Sequence, residues 1–156
     1  MLRRKFYETK KSVIFGEHIN LLIIGGSQGA KVFDTLVKTA IIKLSKIYKL
    51  KIYQQTNAIN FEDLKKFYKN ENINCELFDF NKDISNIMSK TNICLTRAGA
   101  STLAELIFLN LPYVAIPLPT SKDNHQFENA FFYNEIGCNW ILSQDEISDE
   151  IITNKL

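Results

Sequence analysis

An alternation constrains this chain more than any other feature. Six short apolar runs are separated by longer segments of helical period: NLLIIGG (Asn20 to Gly26), LKIYQQ (Leu50 to Gln55), INCELFDF (Ile73 to Phe80), NICLT (Asn92 to Thr96), YVAIPL (Tyr113 to Leu118) and NWILS (Asn139 to Ser143). Several runs are nearly continuous in Val, Ile and Leu, the pattern of strands buried on both faces. Between the first two, Val32, Phe33, Leu36, Val37, Ala40, Ile41, Leu44 and Ile47 lay an apolar stripe along one helix face. Strand and helix in strict succession argue for parallel pairing through right-handed crossovers. The expected fold is α/β, a Rossmann-like doubly wound parallel sheet of about six strands.

Ligands of such a sheet sit beyond the carboxyl ends of the strands, so the loops there carry the functional information. The first is GGSQGAK, Gly25 to Lys31. Its glycines, Gly26 and Gly29 among them, let backbone approach a ligand closely, and the helix start behind them favours an anion. Ser27 and Gln28 stand where a phosphate oxygen would lie. The spacing is neither GxGxxG nor GxxxxGK[ST], which argues against NAD and against ATP hydrolysis. A glycine turn serving strand-to-helix geometry alone explains the loop equally well.

The fourth loop, RAGASTLAE, places Arg97 and Gly99 before a second helix start, with Ser101 and Thr102 in its first turn. Glu105 follows at i+3 and i+4 from them, on the same face, where a carboxylate can accept from two neighbouring hydroxyls such as a ribose diol. Thr102 and Glu105 also resemble a capping box, which would need no ligand. After the fifth run, Asp123 or Asn124 is suited to cap a helix from about His125 to Glu135, with His125, Gln126 and Asn129 near its start. Amides there suit hydroxyl-rich ligands, although a solvated helix end is the plainer reading. Phe127, Phe131 and Phe132 are expected in the core. His125 has no nucleophile and carboxylate in a triad pattern.

Totals narrow the remaining classes. At 156 residues the chain is the size of one domain, and a net charge of +2 makes no case for nucleic acid. Cys75, Cys94 and Cys138 lie far apart and there are two histidines, so neither a zinc site nor a disulfide framework is expected and a reducing cytoplasm fits. The basic start MLRRKFYETKK has no apolar stretch behind it, and no run approaches the roughly 18 residues of a spanning helix, so neither export nor membrane insertion is expected.

GGSQGA, TRAGASTLAEL and DNHQFENA, in that order and each after a strand, resemble the C-terminal half of the MurG family of UDP-N-acetylglucosamine transferases, over about Arg3 to Ile147. The resemblance implies a GT-B architecture of two Rossmann-like domains, of which this chain is similar to the second, the one holding the nucleotide sugar. Residues 1–19 would be an interdomain segment and 20–156 the UDP-sugar-binding domain. Ser27 would meet the diphosphate, Thr102 would line the nucleotide site, Glu105 would hold the ribose, and Gln126 with His125 would contact N-acetylglucosamine. LRRKFY resembles an interdomain motif that brings Arg3 toward the diphosphate, though the Asn-Pro before it is absent. The uracil-reading backbone would fall near Phe80 and Asn81.

The family reaction is transfer of N-acetylglucosamine to a lipid-linked peptidoglycan precursor with inversion and loss of UDP. It implies no cofactor and no metal, in keeping with the lack of a DxD motif. It also implies a cytoplasmic place at the inner face of the plasma membrane. The acceptor-binding N-terminal domain and the closing helices have no counterpart here. A separate partner chain, a stand-alone nucleotide-sugar-binding module and a decayed fragment are therefore all compatible with the sequence.

Overall fold

The computed structural model describes residues 8, 18–25, 33–35, 37–80, 83–119, 124–135, 139–144 and 148–155. Among them, β1 (His18–Ile24), β2 (Lys49–Gln55), β3 (Asn74–Phe78), β4 (Ile93–Thr96), β5 (Tyr113–Ala115) and β6 (Trp140–Ile141) form one sheet. Each expected run holds a strand. The order is β3-β2-β1-β4-β5-β6, and every neighbouring pair is parallel. Helices α1 (Lys38–Ser45), α2 (Ala58–Asn70), α3 (Ile84–Ser89), α4 (Ala100–Phe108), α5 (His125–Glu135) and α6 (Asp149–Lys155) connect and flank the strands. A helical turn at residues 33–35 precedes α1.

The period of two along each strand explains why both faces are covered. Leu21, Ile23, Leu95 and Val114 point to one side, against Phe33, Val37, Ile41, Leu64 and Ile152. Leu22, Cys94, Tyr113 and Ala115 point to the other, against Ile87, Met88, Leu103, Leu106 and Ala130. Full burial of an aliphatic or aromatic side chain contributes about 1.5–3 kcal/mol, so these two layers hold the fold. The stripe expected to run on to Ile47 stops earlier. Lys46 ends α1, its N–H folding back onto the carbonyls of Lys43 and Leu44, and Ile47, past the helix and off its face, is 69% exposed. Val32 and Leu36, also of that stripe, lie outside the described residues.

Two helices on the sheet end alike. Asn72 (φ 56) and Asn110 (φ 49) take the left-handed conformation that usually calls for glycine. Asn72 N–H donates to Lys69 O and Ile73 N–H to Tyr68 O after α2; Asn110 N–H donates to Ile107 O and Leu111 N–H to Leu106 O after α4. These are Schellman pairs, and buried Ile73 and Leu111 supply their apolar contact. They turn the chain sharply into β3 and β5. The strand order reverses between β1 and β4, which opens a crevice at their carboxyl ends, where Ile24 lies level with Thr96 and Thr96 with Ala115.

Candidate functional site

Of the residues singled out from sequence, Arg3, Gly26, Ser27, Gln28, Gly29, Asn81 and Asp123 lie outside the described residues. The others gather at the crevice. Arg97, Ala98 and Gly99 leave β4 and lead into α4, while Ile116 to Leu118 leave β5 toward α5. Gly99 is the N-cap of α4, in an extended conformation (φ −63, ψ 135), and no side chain caps the helix. The capping-box reading of Thr102 and Glu105 does not hold, because Thr102 is already in the first turn. The first intrahelical bond runs from Leu103 N–H to Gly99 O at 3.0 Å. By helix geometry, the N–H groups of Ala100, Ser101 and Thr102 then lack an intrahelical acceptor, and the positive end of the helix dipole lies with them. A side chain at Gly99 would meet nothing within 4 Å among the described residues.

Along α4, Ser101 is exposed, Thr102 half-buried, and Glu105, one turn deeper, is 1% exposed. The acid is thus set into the fold behind the first turn rather than held out in solvent. Ala98, just before the helix, has φ 62, a conformation that costs an alanine about 1–2 kcal/mol. Its N–H reaches Thr96 Oγ1 at 3.3 Å, and its carbonyl accepts from Asn129 Nδ2 at 3.4 Å.

Arg97 points inward. It is 2% exposed; Nη1 donates to Ile116 O at 3.0 Å and Pro117 O at 3.4 Å, and the guanidinium lies 5.0 Å from the centre of the Phe33 ring. Nε and Nη2 have no hydrogen-bond partner among the described residues. Burial disfavours the cation and holds its pKa below the usual arginine value. Sequence placed Arg97 with the substrate-contacting groups; the fold places it beneath three loops, its own, that of β5, and the turn that follows the first glycine loop.

On α5, Gln126 Oε1 accepts from Leu118 N–H at 2.8 Å. His125 is exposed and Asn129 half-buried on the same helix. Asn124 takes φ 56, so it turns the chain into the helix without the extended geometry of a capping residue. The three phenylalanines are not core. Phe127 is 40%, Phe131 44% and Phe132 60% exposed, with the first two stacked at 5.9 Å. Their helix packs near the sheet edge and buries only Ala130, whose small side chain lets the backbone approach.

Sequence reading missed a second polar group on the other flank of the crevice. Asp34, 4% exposed, accepts from Gln54 Nε2 at 2.8 Å, Thr56 Oγ1 at 3.0 Å and Asn60 Nδ2 at 2.7 Å. Tyr68 OH donates to the far side of the Gln54 amide. Burial, then the charges of Cys75 and Asp34, raise the pKa of that phenol. The signal was present in QQT, a polar close to an otherwise apolar strand. Among the described residues no helix is long and apolar enough to cross a membrane.

Comparison with known proteins decides the family. Residues 20–156 match the model of the glycosyltransferase family 28 C-terminal domain. The chain belongs to that family. Its relatives include the UDP-N-acetylglucosamine--N-acetylmuramyl-(pentapeptide) pyrophosphoryl-undecaprenol N-acetylglucosamine transferase of Pelagibacter ubique, 64% identical over the whole chain and 44% of that protein. The transferase of the same name from Rickettsia bellii is 40% identical over 87% of the chain and 39% of that protein. The crystal structure of MurG from Acinetobacter baumannii superimposes with a TM-score of 0.78 at 30% identity, over 87% of this chain and 41% of that one. The family 28 domain described here thus spans less than half the length of the curated relatives it matches, and it has the six-stranded α/β fold of the C-terminal part of a GT-B transferase.

Proposed function

We propose that this chain is the donor-binding half of an inverting N-acetylglucosaminyltransferase, holding UDP-N-acetylglucosamine for transfer to a lipid-linked peptidoglycan precursor. The observation that carries this reading is α4. Its start at the β1/β4 crevice has a glycine at the N-cap with room beside it among the described residues, and a buried carboxylate, Glu105, lies one turn behind. In this reading the N–H groups of Ala100 to Thr102 meet the diphosphate together with Ser27 and Arg3, and Glu105 accepts from the ribose hydroxyls. The uracil lies toward Asn81, and His125, Gln126 and Asn129 face the sugar. As the acceptor hydroxyl attacks C1, charge grows on the departing UDP. Preorganised donors of this kind contribute about 3 kcal/mol each in other enzymes.

Deprotonation and alignment of the acceptor belong to the N-terminal domain of the longer relatives, so transfer by this chain requires that domain in the same or a second polypeptide. The names and lengths of the relatives support this reading, as does the absence of a GxGxxG spacing. The place of action is the cytoplasmic face of the membrane that carries the acceptor.

Calorimetric titration of UDP, UDP-N-acetylglucosamine and NADH tests it. The expected outcome is binding of the two uridine nucleotides and none of NADH. Loss of two hydrogen bonds to a carboxylate in Glu105→Ala, at about 1.5–3 kcal/mol each, weakens UDP by at least about a hundredfold with the circular dichroism spectrum unchanged. Unchanged UDP affinity in that variant sinks the ribose assignment.

A further inference from the structure

The loops after β4 and β5 are closed into a circuit by side chains. Arg97 Nη1 holds Ile116 O and Pro117 O. The next residue, Leu118, donates its N–H to Gln126 Oε1, and three residues along α5 Asn129 Nδ2 donates to Ala98 O, which brings the path back beside Arg97. The Phe33 ring against the guanidinium ties in the turn behind the first glycine loop. We propose that Arg97 is a positioning residue for donor specificity: it fixes α5 relative to α4 and does not itself touch the nucleotide sugar. The inference rests on the donor-site reading above and adds a division of labour within it.

Two features of the circuit support this. First, Arg97 is 2% exposed, with one edge on carbonyls and one side toward a ring, so a ligand in the crevice meets the loops it holds before it meets the guanidinium. Second, the circuit sets the polarity of the two amides. Leu118 N–H requires an oxygen and Ala98 O requires an N–H, so neither amide can flip without placing like on like. The ends that the circuit does not engage are the Gln126 NH2 and the Asn129 carbonyl oxygen, and in the donor-site reading these are the ends that meet the sugar. A donor and an acceptor fixed one turn apart suit a pair of sugar hydroxyls in one stereochemistry, one accepting and one donating. Release of Arg97 frees the β5 loop, and with it the amide orientation, while the helix start and Glu105 on α4 stay in place.

Arg97→Met and Arg97→Lys test the inference beside the unaltered chain. The methionine removes a buried cation whose Nε and Nη2 have no partner among the described residues, and the lysine keeps the charge but cannot bridge two carbonyls and stack at once. Titration with UDP, UDP-N-acetylglucosamine and its C4 epimer reads specificity, and hydrogen exchange at the Leu118 amide reads the circuit. In both variants UDP affinity stays within about threefold, while preference for UDP-N-acetylglucosamine over the epimer falls about tenfold and Leu118 exchanges at least about tenfold faster. Loss of UDP affinity as large as the loss of preference means direct contact with the diphosphate and overturns the proposal, as does unchanged preference. If the unaltered chain binds no uridine nucleotide, the donor-site reading falls by itself; Leu118 exchange unchanged by Arg97→Met then removes the positioning role as well. Should Arg97→Met not fold, Phe33→Leu, which takes the ring from the guanidinium, must produce the same loss of preference.

Discussion

Asp34 offers the sharpest test of how this crevice is held together. Its carboxylate accepts three hydrogen bonds, from Gln54, Thr56 and Asn60 at 2.8, 3.0 and 2.7 Å, and all three donors are neutral. Asp34→Ala removes the acceptor and leaves Gln54, 0% exposed, and Thr56, 1% exposed, facing a void. A buried donor stranded in this way costs about 1–3 kcal/mol, while the half-buried Asn60 recovers a partner from water. Removal of the buried carboxylate also relieves its own desolvation, so the net loss is about 3–4 kcal/mol. For a domain of this size, that lowers the melting temperature by roughly 10 °C. Asp34→Asn keeps the volume and one acceptor but turns an NH2 toward a donor, for a loss of about 1–2 kcal/mol. Urea unfolding followed by circular dichroism measures both, and in the double variant with Thr56→Val the two losses should fall short of additivity by about 1 kcal/mol. A loss below about 1 kcal/mol for Asp34→Ala, or an Asn variant no better than the Ala one, would refute the claim that this carboxylate organises the flank beside β2.

Burial raises the thiol pKa of both Cys94, in the centre of the sheet, and Cys75, which is only partly covered. Iodoacetamide at pH 8 should therefore alkylate Cys75 slowly and Cys94 only after denaturant is added, as mass spectrometry of peptides will show; early labelling of Cys94 would mean that β4 opens in the native state. The two classes of phenylalanine should separate just as clearly. Phe33→Ala, at a position 0% exposed and against Arg97, costs about 3–5 kcal/mol in urea unfolding, whereas Phe132→Ser, 60% exposed, stays within about 0.5 kcal/mol.

The strands were legible because each run could satisfy one requirement, burial on both faces, and nothing else in the chain competed for that role. The loops after β4 and β5 could be bounded for a related reason, because glycine, proline and polar residues break the apolar runs where those strands end. What sequence did not disclose was direction. RAGAST reads as a cation beside a helix start, open to an anion, and spacing alone cannot say that the arginine turns under the loop to reach Ile116 and Pro117, nineteen and twenty residues on. Phe127, Phe131 and Phe132 have the composition of a buried face, but burial depends on what lies opposite, and α5 meets the sheet through Ala130. Asp34 drew no notice in the sequence, because its partners Gln54 and Thr56 lie twenty and twenty-two residues away and only the fold brings them together.

Where the chain departs from local rules also points to the crevice. The described residues with positive φ other than glycine are Asn72, Ala98, Asn110 and Asn124. Three are asparagine, whose short polar side chain tolerates the left-handed region, and two of those close helices in Schellman pairs at the strand starts, opposite the crevice. Ala98 has no such excuse. It adjoins Arg97, whose Nε and Nη2 lack partners among the described residues, and Gly99, which has no side chain to cap the helix start. A strained backbone, an under-bonded cation and an uncapped helix are each unfavourable for folding, and they occupy three consecutive residues at the one point where the strand order reverses. Strain of this kind persists only where the surrounding structure over-determines it, and in native proteins it collects at functional sites. The carbonyl bonds from Ile116, Pro117 and Ala98 supply that determination here. The same three residues therefore mark the place where stability has been given up, and the bonds around them explain why the arrangement holds before a ligand arrives.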